Sequence, residues 1–348
     1  MTTLDDLKNK VSDTLETSSS TGTIGKTIMA LAVGLVTTIG VVGFIWDNEP
    51  EVFNVIDNAD AMVQELGIRK ITGTTTITTM IQLTDVLVHK RGGYLTNDIA
   101  PPGAWMDNVP NWEFGVLVQI RDMARTLRNN FSRSQSQSTE DKNLVSAENQ
   151  FYFDTDSWLL PETESEYEKG IKALREYLVR LGDQNQQQAQ FYARADNLRV
   201  WLSEVETRLG SLSQRLSASV GKQQLDISLA GDSAARQSTK SKAELTVKTP
   251  WTELDDVFYQ ARGTTWALIH LLKAVEIDFR DVLEKKNAHV SLQQIIRELE
   301  STQQAVWSPM ILNGDGLGLL ANHSLVMASY VSRANAAIID LRRLLEDG

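Results

Sequence analysis

Residues 191–216, FYARADNLRVWLSEVETRLGSLSQRL, place Phe191, Ala195, Leu198, Leu202, Val205, Leu209, Leu212 and Leu216 at alternating steps of four and three. That spacing keeps one apolar seam on a helix and is the a/d repeat of a coiled coil. At a rise of 1.5 Å per residue the stretch reaches about 39 Å, so the sequence predicts a long helix with one greasy edge.

The same stepping recurs outward in both directions. Leu254, Phe258, Ala261, Thr265, Leu268, Leu272, Val275, Phe279 and Val282 form a second seam, Met327, Val331, Ala334, Ile338, Leu341 and Leu345 a third, and Leu117, Ile120, Ala124, Leu127 and Phe131 a shorter fourth. Four complementary stripes in one polypeptide favour a packed bundle over an intermolecular coiled coil. Smaller stripes fit the same reading: Val52, Ile56, Ala59, Val63 and Leu66; Ile77, Ile81, Thr84 and Val88; and Ile171, Leu174, Leu178 and Leu181. The chain has only seven prolines, and none falls between Glu162 and Thr249. Extended segments are expected to be brief at most, at 151–153 and 245–247. The polar stretches 132–143 and 221–242 read as exposed loops, and a break is expected near 182–188.

One stretch departs from this pattern. Thr27–Trp46, TIMALAVGLVTTIGVVGFIW, carries no charge and shows no polar face. As a helix it spans about 30 Å, the thickness of a bilayer's hydrocarbon core. A buried core helix would keep a polar side. A cleaved signal peptide would have a shorter apolar run and a small-x-small site, which Phe44-Ile45-Trp46-Asp47 does not supply. Lys8, Lys10 and Lys26 precede the span, whereas 47–68 holds no Lys or Arg and carries Asp47, Glu49, Glu51, Asp57, Asp60 and Glu65. This asymmetry places the N-terminus in the cytoplasm. The expected fold class is therefore all-α: one N-terminal transmembrane helix followed by an elongated multi-helix bundle with coiled-coil-like seams. The expected organisation is a tail at 1–26, a span at 27–46 and a periplasmic helical domain at 47–348, with the 219–250 loop as the candidate sub-boundary. Leu4, Leu7, Val11 and Leu15 give the tail an amphipathic face. Ala30, Gly34 and Thr38, spaced by four, would let a second helix approach the span closely.

The formal net charge is −11, and removing the tail's three lysines and four acids leaves −10 on the rest. Such a surface repels nucleic acid and anionic head groups. The absence of cysteine removes disulfides, thiol nucleophiles and thiolate metal sites. His89, His270, His289 and His323 show no HExxH pairing, and the chain lacks G-x-S-x-G, Walker A and dinucleotide motifs. No cofactor and no metal are expected. The expected partners are the lipid bilayer and another envelope protein or a second copy.

Two loops are candidate sites. In 92–115, GGYLTNDIAPPGAWMDNVPNWEFG, irregular aromatic-rich backbone precedes a helix, and Asn97, Asp98, Asp107, Asn111 and Glu113 are placed to line a cleft beside Trp105 and Trp112. The competing structural reading makes Asn97, Asp107 and Asn111 turn and cap residues and uses the tryptophans to cover the bundle's end. In 307–323, WSPMILNGDGLGLLANH, the residues Asn313, Asp315 and His323 stand out, although the ligand alternation of a calcium loop is missing.

These two loops, with SRSQSQSTED at 132–141 and the closing 307–345, resemble a bacterial inner-membrane family that carries a domain of unknown function. The resemblance covers nearly the whole chain. It implies membrane localisation in a Gram-negative cell and brings no activity, cofactor or catalytic residue. Three functional readings follow: a membrane-anchored periplasmic scaffold or interaction protein without catalysis, an extracytoplasmic ligand-binding or sensor domain under the 92–115 loop, and an envelope hydrolase using the carboxylates of Asp98, Asp107 and Glu113.

Overall fold

The structure is a computed structural model and describes residues 4–135, 137–183, 189–225, 244–308, 310–314 and 319–347. Among the described residues the fold is all-α, as the seams predict, apart from two short paired strands. The helices are α1 (Leu4–Trp46), α2 (Val55–Leu66), α3 (Thr74–His89), α4 (Asn108–Thr126), α5 (Lys142–Phe151), α6 (Thr163–Gly182), α7 (Ala195–Ser217), α8 (Leu254–Asp278), α9 (Arg280–Lys285), α10 (His289–Glu300) and α11 (His323–Asp347). Strands β1 (Lys222–Leu225) and β2 (Glu244–Val247) pair antiparallel, with Lys222 opposite Val247.

The long seams find their partners inside the chain. α7 packs most extensively on α11, and the pairs Arg199–Glu346 (2.6 Å) and Arg342–Glu206 show that the two helices run antiparallel. Leu198 to Leu216 on one side and Met327 to Leu345 on the other are buried along the whole contact. α4 packs on α8 and runs parallel to it: Asn111 donates to Asp256 (2.7 Å) near the helix starts, and the Phe131 and Phe279 rings lie 5.0 Å apart at the far ends. Here backbone meets backbone, since a Cβ at Gly263 would lie 2.0 Å from the Trp112 carbonyl oxygen and one at Gly115 would lie 2.3 Å from that of Gln260.

α3 lies inside the body against α6 and α8, and Thr74, Thr75, Thr76, Thr78 and Thr79 are buried in its first turns. Buried hydroxyls need partners, and Thr78 Oγ1 returns a bond to the Thr74 carbonyl (2.9 Å). The N-cap position is Gly73, which has no side chain to close the helix. Asp278 does so from the end of α8, accepting from Thr76 N and Thr76 Oγ1, both at 2.7 Å. A carboxylate suits that end of a helix, where free N–H groups point outward. Burial nevertheless pushes the Asp278 carboxyl above its ordinary range.

Several local expectations are corrected. In α2 the buried positions are Val55, Ala59 and Met62, while Val52 and Ile56 of the predicted stripe are exposed. Asn54 caps this helix by accepting from Ile56 N (2.9 Å), which sets where the first turn begins and so which face turns inward. Phe151, expected to be extended, ends α5, whereas 245–247 does form a strand. The tail and the apolar stretch form one continuous helix rather than two. α6 ends at Gly182, and the polar run that follows it lies largely outside the described residues. One buried apolar core runs from Met62 to Leu345.

Candidate functional site

Within α1, Gly25–Trp46 is long and apolar enough to cross a membrane, and none of it is buried in the body. Two of its threonines are satisfied locally: Thr37 Oγ1 donates to the Val33 carbonyl and Thr38 Oγ1 to that of Gly34, each at 2.8 Å. An apolar surrounding therefore meets no free hydroxyl donor on this helix at those positions. Ala30, Gly34 and Thr38 share one exposed face, and open space surrounds Gly34.

The end of this helix is fastened to the body. The Trp46 ring lies against Gly92, where a Cβ would come within 2.8 Å of it and where φ is 88°, so only glycine fits without strain. Gly43 abuts Pro102, and Asn48 Nδ2 closes the helix by donating to the Phe44 carbonyl (3.1 Å). The following linker is then held from α8. Arg262 Nε reaches both Glu49 carboxylate oxygens at 2.8 Å while its Nη1 donates to the carbonyls of Thr302 (3.0 Å) and Gln304 (2.9 Å). Phe53 N donates to His270 Nε2 (3.0 Å), and the two rings stack with centroids 3.9 Å apart. His270 Nδ1 faces the Trp266 carbonyl oxygen at 2.7 Å, which assigns its proton to Nδ1 and leaves the ring neutral. Burial lowers this imidazole to about 4.

The 92–115 loop sits at this joint, and the structure divides its candidate residues by role. Glu113 is fully buried and accepts from Leu95 N (2.8 Å), Thr96 N (2.9 Å), Thr96 Oγ1 (2.5 Å) and the buried Lys90 ammonium. Both carboxylate oxygens are thus spent on folding the loop. Asn97 is buried as well, bridging the Ser157 carbonyl (3.0 Å) and Glu164 (2.7 Å). Asp107 is the N-cap of α4 and accepts from Asn108 N (2.9 Å); Asn111 ties α4 to α8 through Asp256. Trp112 is in the core, 5.1 Å from the Trp266 ring. Asp98 packs against Gly103, and its carboxyl is raised by burial and by the charges of Glu113 and Glu164. Trp105 projects outward, 72% exposed, and of the others only the capping Asp107 is also exposed. The residues expected to converge on a cleft therefore mostly build the loop itself.

Where α1 meets the starts of α4 and α8, acids gather. Asp47, hydrogen-bonded by Asn108, is raised by burial and by Glu49 and Asp107; Asp256 is raised by burial and by Asp255, Asp107 and Glu253. Among the described residues, no group of three or more His, Asp or Glu side chains is placed to hold a metal ion.

The second loop lies beside a cavity of about 340 Å³ between α8 and α11, lined by Phe258, Arg262, Trp307, His323, Met327 and Tyr330 among others. His323 Nδ1 accepts from Leu312 N (3.1 Å), and burial lowers its imidazole. Asn313 is structural, donating to the Ser219 carbonyl (2.8 Å) and accepting from Asn322 (2.8 Å). Asp315 lies outside the described residues. Sequence reading singled out neither the fastening residues Glu49 and Arg262 nor the anchoring role of His270. A lone arginine at a polar position of a long seam was the only available signal.

Residues 18–348 match the model of a family described as an uncharacterized protein conserved in bacteria (DUF2333). No curated protein matches the chain, and no solved structure does.

Proposed function

The chain belongs to that bacterial family, and from this we propose that it is a single-pass inner-membrane protein whose periplasmic helical body is a non-catalytic interaction scaffold. Its partner is another envelope protein or a second copy. The observation that carries the reading is the fastened joint: Trp46 on Gly92, Glu49 on Arg262 and Phe53 on His270 hold the body to the end of an apolar helix of which, among the described residues, no part is buried. A tether built only to retain a soluble domain needs no such contacts. A joint that fixes height and orientation suits a body that must meet a partner at a set distance from the bilayer. Lysines before the span and acids after it support a cytoplasmic N-terminus.

Topology is tested by fusing alkaline phosphatase after Gly348, with activity expected; a reporter active only in the cytoplasm overturns the orientation. The scaffold role is tested by crosslinking the full chain in its native membrane. A reproducible partner or self-adduct is expected. A monomer that crosslinks to nothing, and stays monomeric in detergent, refutes the role.

The α8–α11 cavity favours a second reading, a ligand-binding body. Its aromatic and apolar lining with a few polar groups is the usual make-up of a small-molecule site. A ligand at 100 times its Kd adds about 2.7 kcal/mol of stability, so a thermal-shift screen of envelope metabolites detects it, and a screen without a hit removes this reading.

A further inference from the structure

We propose that Ile99, Trp105, Trp158, Leu159, Leu160 and Trp251 form a belt that lies in the outer interface of the bilayer around the exit of α1, so that the body is seated on lipid rather than suspended above it. The inference rests on the reading of α1 as a membrane span.

The fold brings these residues to one end. α4 and α8 run parallel and start side by side, joined by Asn111 and Asp256, which puts Trp105 and Trp251, just ahead of the two helices, at the same end. The Gly43–Pro102 and Trp46–Gly92 contacts place the end of the span there too. Asn97, two residues before Ile99, holds the 157–161 turn through the Ser157 carbonyl. Three separate loops therefore present large apolar groups around the point where α1 emerges.

None of the six is covered by the body. Trp251 is 78% exposed and Leu160 87%. Leu160 is also held at φ 45°, a left-handed conformation costly for a residue with a Cβ, and the body gains no burial of its side chain in return. Tryptophan concentrates at membrane interfaces because its ring accepts both hydrocarbon and head-group contact. Lipid is the occupant that continuity with the span selects: a surface fixed this close to the exit of a bilayer-crossing helix faces that bilayer first. The acids Asp47, Asp107 and Asp256 at the same end define the chemistry further. They disfavour anionic head groups, so the contact is apolar and aromatic, made to neutral lipid.

The chain has no cysteine, so single-cysteine variants report one site each. Ile99→Cys, Leu160→Cys and Trp251→Cys are spin-labelled in the full chain in phosphatidylcholine nanodiscs, and collisional access to oxygen is compared with access to a water-soluble nickel chelate. Leu35→Cys reports the span. Val290→Cys, on α10 near the opposite end of α8, reports open water. The belt labels are expected to show an oxygen-to-nickel ratio severalfold above that at 290 and below that at 35, unchanged when anionic lipid is added. A lipid-like label at 35 with water-like labels at 99, 160 and 251 overturns the belt and leaves the span intact. A water-like label at 35 overturns the span and the belt together. Labels shielded from both reagents show that protein covers this face, and labels that reach lipid only with anionic head groups show an electrostatic contact; either result overturns the belt.

Discussion

Between α7 and α11, contact is made by side chains: leucines and a valine from each helix, with Ile338 from α11, fill the seam, and at Gly210 an added Cβ would meet only Asn335 Nδ2, at 3.4 Å. Between α4 and α8, contact is made by backbone, with Gly263 and Gly115 each pressed onto the other helix's main chain. The first pair tolerates small adjustments because flexible groups separate its axes. The second has no such slack, and it is the pair that carries Arg262 and His270, which hold the linker from α1. Rigidity is thus concentrated where the apolar helix is attached.

Matched substitutions test that contrast, each read by urea unfolding of the detergent-purified chain. Gly263→Ala should be the most damaging, costing at least about 4 kcal/mol, because a carbonyl 2.0 Å away cannot swing aside. Leu209→Ala, deleting a fully buried side chain of α7, should cost about 3 kcal/mol through lost burial and a cavity. Acid should act on the α4/α8 side. Above pH 6.5 His270 is neutral in both folded and unfolded chains and contributes nothing. As pH falls, the unfolded chain takes the proton first while the buried ring resists it down to about 4. Stability should therefore drop by about 2 kcal/mol between pH 6.5 and 5, and His270→Gln should flatten that slope. The smallest effect has the opposite sign: Gly210→Ala should stabilise by up to about 1 kcal/mol, since the helix gains alanine's propensity and no contact is strained. Equal losses for the two glycine variants would remove the distinction between the pairs.

The seams were legible because a buried helix edge repeats at a period the sequence displays directly. The α4/α8 crossing was not, since a glycine that lets two backbones touch is written with the same letter as one that does nothing, and Gly210 and Gly263 look alike until the partner is known. Glu113 drew notice as an acid in an unusual loop, but its partners Leu95, Thr96 and Lys90 precede it by some twenty residues and no spacing rule links them. Asp278 capping α3 and Glu49 meeting Arg262 join residues more than 200 positions apart. Position in a loop suggested a place in a cleft lining for Asn97 and Glu113, and burial, which decides chemistry, came only with the tertiary fold.

The pinning of Glu49 and Phe53 has a mechanical outcome. With no slack between them, α1 and the bundle turn as one piece, like a key and its bow. If two copies lay their Ala30, Gly34 and Thr38 edges together, the angle at which those helices cross would set the angle between the two bundles. Twisting one rod by a fraction of a turn would sweep its head through the same arc.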